Sequence, residues 1–155
     1  MNLADYQSKA LETALPTALE FAYLTPMIMS EVGEMYGKIA KAVRDEWTDE
    51  KLKQELTKEY GDVCWGVAVL LHKMGLHEET YGERVCEEPL VMITDMAVDI
   101  FANLELHVVA ELWAVLRDNA EKITGSTFDQ VLEANLAKLT DRKQRGVIGG
   151  SGDSR

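Results

Sequence analysis

A chain of 155 residues fits one domain with a single core, burying about 70% of the surface its unfolded form exposes. Apolar residues make up 46% and charged residues 28%, a globular composition that argues against disorder. A net charge of -11 argues against nucleic acid as a partner, because polyanion binding draws on clustered Lys and Arg, and leaves open compact anions bound through metal.

Apolar residues recur at spacings of three and four along most of the chain and strand signals are nearly absent, so the expected fold class is all-α. A first helix is expected over 3–22, with Leu3, Tyr6, Leu11 and Leu15 near one side and Pro16 as a kink or break. The N-terminus MNLADYQSK lacks the basic start and apolar stretch of a signal peptide. No apolar run approaches the ~18 residues of a membrane span, so a cytoplasmic protein with no membrane partner is expected. A second helix is expected from Thr25-Pro26, where Thr suits a cap and Pro the first helical position, to about Arg44.

Thr48-Asp49 caps a third helix from about residue 50 to Met74, stopped by Gly75. Cys64, inside VCWGVAVLL, and Cys86 read as reduced thiols. Residues 75–89 read as a polar connection. The stretch 90–122, with Ile93, Ala97, Ile100, Leu104, Val108, Leu112 and Val115 in near-heptad spacing, is one helix or two broken near Asn103. Gly125 and a capping box from Ser126 to Asp129 open a last helix through Leu139, and the glycine-rich end from about residue 143 is expected as a loop. The architecture that fits is a helical bundle of the four-helix class with added helices.

Two acidic pairs stand out. Glu31 and Glu34 lie about 60° apart on one helical face, with Lys38 nearby and Gly33 and Gly37 on the other side, where small residues would admit a neighbouring helix. Glu59 and Asp62 repeat the three-residue step, and Glu55 precedes them by one turn. In a chain with 27 acidic residues such spacings also arise on solvated faces, but both pairs here border apolar stretches. Four carboxylates brought together by two antiparallel helices repel unless cations neutralise them, which points to a hard metal with oxygen ligands, Mg²⁺ or Mn²⁺. A carboxylate-bridged di-iron site needs E-x-x-H pairs, and Val69, Met74 and Leu104 stand three residues before His72, His77 and His107. Zinc-ligand spacing is absent too, and the histidines read as surface or packing residues.

On the last helix Asn135, Lys138 and Arg142 share an edge, an amide and two cations suited to phosphate oxygens, or simply a solvated helix end favoured by the dipole. The glycines of RGVIGGSGDSR let backbone N–H groups approach an anion, or mark a loose tail.

Taken together, EVGE (31–34), EYGDVCW (59–65), NLAKL (135–139) and RKQRGVIGGSGDSR (142–155) resemble the MazG-type all-α nucleoside triphosphate pyrophosphohydrolases, in a subgroup common in phages and bacteria. The resemblance covers roughly 3–75 and 126–155; a helical insertion at about 77–124 departs from the pattern. It implies that Glu31, Glu34, Glu59 and Asp62 hold Mg²⁺, with Mn²⁺ as a substitute, and carry catalysis. Asn135 and Lys138 would contact the triphosphate, with Lys38, Arg142 and Arg145 as further phosphate contacts. The reaction implied is NTP plus water to NMP plus pyrophosphate, with one of these carboxylates or Glu55 taking the proton of water. Trp47, Tyr6 and Trp65 are candidates for stacking on the base, and dGTP or dATP is the favoured substrate. The family also implies a homodimer or homotetramer. Competing readings are a dCTP, dUTP or phosphoribosyl-ATP pyrophosphohydrolase, a phosphohydrolase releasing orthophosphate, and a non-enzymatic helical interaction protein using 90–122.

Overall fold

The computed structural model describes residues 1–148. It is all-α: six α-helices and one short 3₁₀ turn, with no strand among the described residues. Helix α1 spans Leu3–Thr13, capped by Asn2, whose side chain accepts from the Asp5 N–H at 2.9 Å. The helix expected over 3–22 is broken. Pro16 offers no N–H to continue the ladder and drives Leu15 to an extended conformation, and the chain resumes only as a 3₁₀ turn over Pro16–Leu19.

Helix α2 spans Phe21–Arg44 and starts before Thr25, which is therefore not its cap; the Thr25 hydroxyl donates to the Phe21 carbonyl inside the first turns. Glu20 is the extended residue at the start, and its carbonyl accepts from both Tyr23 and Leu24 at 2.9 Å. Leu24, Ile28, Val32 and Met35 form the seam that this register buries. Pro26 is the sixth residue of this helix and offers no N–H to its ladder.

Helix α3 spans Asp49–Lys73, with Thr48 accepting from the Lys51 N–H and Gly75 leaving the helix at φ 81°. Residues 75–88 form the expected non-helical connection. It is tied down by the buried Asn119, whose side chain accepts from the Cys86 N–H at 3.1 Å and donates to the Arg84 carbonyl at 2.8 Å.

The 90–122 stretch is two helices, α4 over Pro89–Asn103 and α5 over Leu106–Thr124, turned at Leu104 with φ 49°. Helix α6 spans Phe128–Gln144, past the expected stop at Leu139, so Arg142 and Lys143 are helical rather than in a loop. Its capping box is Thr127 with Gln130, one residue on from the expected frame, with the Gln130 side chain accepting from the Thr127 N–H at 2.9 Å. The sequence GSGDSR at the end lies outside the described residues.

Contacts close a ring α2, α3, α5, α4 and back to α2, the arrangement of a four-helix bundle, while α1 and α6 pack on α3. The stretch read as an insertion therefore supplies half of the bundle. Its α5 is deeply buried: the Trp113 ring meets Phe128 edge-on at 5.2 Å, and the Tyr60 hydroxyl donates to the Leu116 carbonyl at 2.7 Å. Burial of each such large side chain is worth about 1.5–3 kcal/mol. Both cysteines are free thiols. Among the described residues no helix is long and apolar enough to cross a membrane.

Candidate metal centre

Helices α2 and α3 meet closely because Gly66 leaves room for α2; a Cβ there would lie 2.9 Å from both Ile28 Cγ1 and Met27 Sδ. That proximity carries Glu31 and Glu34 of α2 to Glu59 of α3, with one oxygen from each within 4.8 Å of the others. Gly33 and Gly37 do not provide the close approach expected of them, since a Cβ on either meets nothing within 4 Å. The approach of α2 comes instead from Gly66 of α3.

The three carboxylates differ in exposure. Glu34 is exposed, Glu31 half-buried, and Glu59 only 1% exposed. Lys38, itself buried, balances Glu59 at 3.0 Å and Glu55 at 2.9 Å. Lys38, expected as a phosphate contact, thus has its ammonium on two carboxylates of α3. Lys58 and Lys38 together hold Glu55 below the ordinary carboxylate range, so Glu55 is a poor acceptor for a water proton.

Burial pushes the Glu31 carboxyl up to about 8, and the neighbouring Asp62, Glu34 and Glu59 charges add to the effect while Lys138 opposes it. A proton thus occupies this carboxyl at neutral pH when no cation is near. Oxygen ligands sit about 2.0–2.6 Å from Mg²⁺ or Ca²⁺, so donors of one ion stand up to roughly 5 Å apart. The Glu31, Glu34 and Glu59 oxygens meet that limit, and an all-oxygen, negatively charged donor set fits a hard divalent ion.

Asp62, expected as the fourth ligand, stands outside this trio. Lys138 Nζ pairs with its Oδ2 at 2.5 Å and Asn135 Nδ2 donates to its Oδ1 at 2.7 Å. Asn135 is in turn oriented by the fully buried Tyr6, whose hydroxyl donates to Asn135 Oδ1 at 3.0 Å. Here α6 rides against Gly61: a Cβ at that position would lie 2.9 Å from the Asn135 Cβ. Asn135 and Lys138, the expected triphosphate contacts, thus reach the acidic site but are engaged with Asp62.

Glu31 and Asp62 also line a pocket of about 400 Å³ together with Tyr23, Met27, Trp65 and Arg142. No α4 or α5 residue lines it, so the 77–124 stretch does not cover this pocket. Of the aromatic candidates only Trp65 is present; Trp47 sits beneath the Lys51 ammonium and Tyr6 is core. Arg145 is exposed and paired with Asp141 at 2.8 Å, one turn back. Tyr23 and Met27 were not among the expected site residues. Their signal was present, since 23, 27 and 31 fall at i, i+4 and i+8 on one face of α2.

No protein-family model matches the chain, and no solved structure matches it. Over 164 aligned positions it is 26% identical to the Gene 37 protein of Mycobacterium phage L5, with the whole of each chain covered.

Proposed function

We propose that the chain is a Mg²⁺-dependent pyrophosphohydrolase that converts a nucleoside or deoxynucleoside triphosphate to its monophosphate and pyrophosphate, with purine deoxynucleotides preferred and Mn²⁺ able to substitute. The observation that carries this reading is that Glu31 belongs at once to a trio of convergent carboxylates and to a pocket of about 400 Å³ whose lining mixes the aromatic Tyr23 and Trp65 with the charged Asp62 and Arg142. A pocket of that size falls in the roughly 300–1,000 Å³ range of small-molecule sites. The MazG-like order of motifs in the sequence supports the same reading.

In this proposal Trp65, Tyr23 and Met27 receive the base and sugar, and phosphate oxygens are held by Arg142, which lines the pocket, and by Lys138, which is paired with Asp62 at the pocket wall. Glu31, Glu34 and Glu59 hold the cation, which when bound would polarise the phosphoryl oxygens and stabilise the pyrophosphate leaving group. Glu31 is the member of the trio that lines the pocket, and one of these carboxylates takes the proton of the water that attacks the α-phosphorus. The attack forms one P–O bond and breaks the bond to the pyrophosphate oxygen. Homodimer or homotetramer formation belongs to the same reading, supported by the exposed Val91, Val98 and Phe101 of α4.

The test is incubation of the protein with Mg²⁺ and each NTP and dNTP in turn, resolving nucleotide products and measuring pyrophosphate against orthophosphate. The expected result is monophosphate plus pyrophosphate, fastest with dGTP or dATP and lost in Glu59→Gln. Orthophosphate as the product, or no turnover of any nucleotide, would overturn the reading.

A further inference from the structure

Asp62 lies at the pocket wall beside Glu31, yet both of its oxygens are engaged by α6. The two partners are held differently. Asn135 is buried, wedged over Gly61 and fixed by Tyr6, so it has little freedom to leave. Lys138 reaches Asp62 on a flexible four-carbon stem, and its side chain is 20% exposed. An ammonium so placed can exchange one charge-assisted partner for another without disturbing the helix that carries it.

We infer that Lys138 is a positioning residue that couples cation binding to recognition of the polyphosphate: in the free protein it holds Asp62 away from the cation, and a triphosphate in the pocket draws it off and releases Asp62. This rests on the reading of the site as a cation-dependent nucleotide site. The exchange is favoured only when the ligand offers a concentration of negative charge comparable to the carboxylate that Lys138 gives up. A triphosphate satisfies this and a monophosphate does so poorly, so the latch discriminates substrate from product. Coupling of this kind is reciprocal: whatever strengthens the cation's hold on Asp62 strengthens the hold on the polyphosphate by the same factor.

The inference predicts a non-additive pair of substitutions, read by Mn²⁺ titration followed by electron paramagnetic resonance on nucleotide-free protein. With Lys138 present, Asp62→Asn weakens Mn²⁺ binding by less than about threefold, because Asp62 is not a ligand there; with Lys138→Met, the same change weakens it by more than about tenfold. Lys138→Arg, which keeps a cation on Asp62, behaves as the parent chain. A purely electrostatic or structural role for Lys138 gives equal factors in both backgrounds, and that result overturns the inference. So does a large loss from Asp62→Asn alone, which would make Asp62 a ligand in the free protein. Failure of the underlying reading looks different: the parent chain then binds no Mn²⁺ and turns over no nucleotide. Mn²⁺ binding and turnover with an additive cycle sink the latch and leave the reading standing.

Discussion

At the scale of single residues, the chain spends stability on Glu31. Its carboxyl is raised from 4.5 to about 8, first by burial and then by the charges of Asp62, Glu34 and Glu59. The folded protein therefore binds a proton that the unfolded chain has released over that interval. The contribution to stability is fully present below about pH 4.5, falls by up to about 1.4 kcal/mol for each pH unit as pH rises toward 8, and levels off above it. Other carboxylates, such as Glu55 and Asp118, are shifted the opposite way, so the slope is isolated by comparison with Glu31→Gln. Urea unfolding in EDTA should show the variant gaining on the parent chain between about pH 5.5 and about pH 8. Parallel curves would show that Glu31 titrates normally. A bound cation reverses the balance, and the proton that Glu31 carries at neutral pH should be released when Mn²⁺ binds.

Between elements, two glycines of α3 do the work that the sequence pattern attributed to glycines of α2. All four lie beside the acidic motifs, and only the neighbouring helix tells them apart. A Cβ at Gly61 strikes the Asn135 Cβ, a short and inflexible point of α6, whereas a Cβ at Gly33 meets open space. Gly61→Ala should therefore cost about 1–3 kcal/mol through displacement of α6. Gly33→Ala should gain about 0.5–1 kcal/mol by removing a helix-interior glycine. Denaturant midpoints measured side by side check both signs; a stabilised Gly61→Ala would mean that α6 can move freely away. The same contrast explains what was legible. Thr48, Gly75, Gly125 and the apolar seams of α2 and α3 announce themselves through local chemistry; α3 came out near its expected bounds, and α2 kept its expected end at Arg44 while starting four residues before Thr25. Leu104 turns the chain at positive φ without a glycine, so 90–122 read equally well as one helix or two. The engagement of Asp62 by Lys138 depends on how α6 lies across α3, which no spacing within either helix encodes.

At the scale of the molecule, the net charge of -11 and the carboxylate trio act together. An acidic chain repels itself, and any salt relieves part of that repulsion by screening. A specific site acts through mass action instead, stabilising the fold by about 2.7 kcal/mol when the cation is at a hundred times its dissociation constant. For a domain of this size each kcal/mol moves the melting temperature by about 2–4 °C, so saturating Mg²⁺ or Mn²⁺ should raise Tm by about 5–10 °C. Sodium chloride at matched ionic strength should achieve much less. Glu59→Gln separates the two contributions further, because it removes only one charge from the total while taking the buried carboxylate from the trio. Melting curves for both chains in EDTA, sodium chloride and Mg²⁺ give the answer. If the divalent increment disappears in the variant while the sodium response persists, the cation acts at the convergence of α2 and α3. If sodium matches magnesium, or the variant keeps the full increment, the stabilisation is screening of the whole acidic surface and the trio is not its seat.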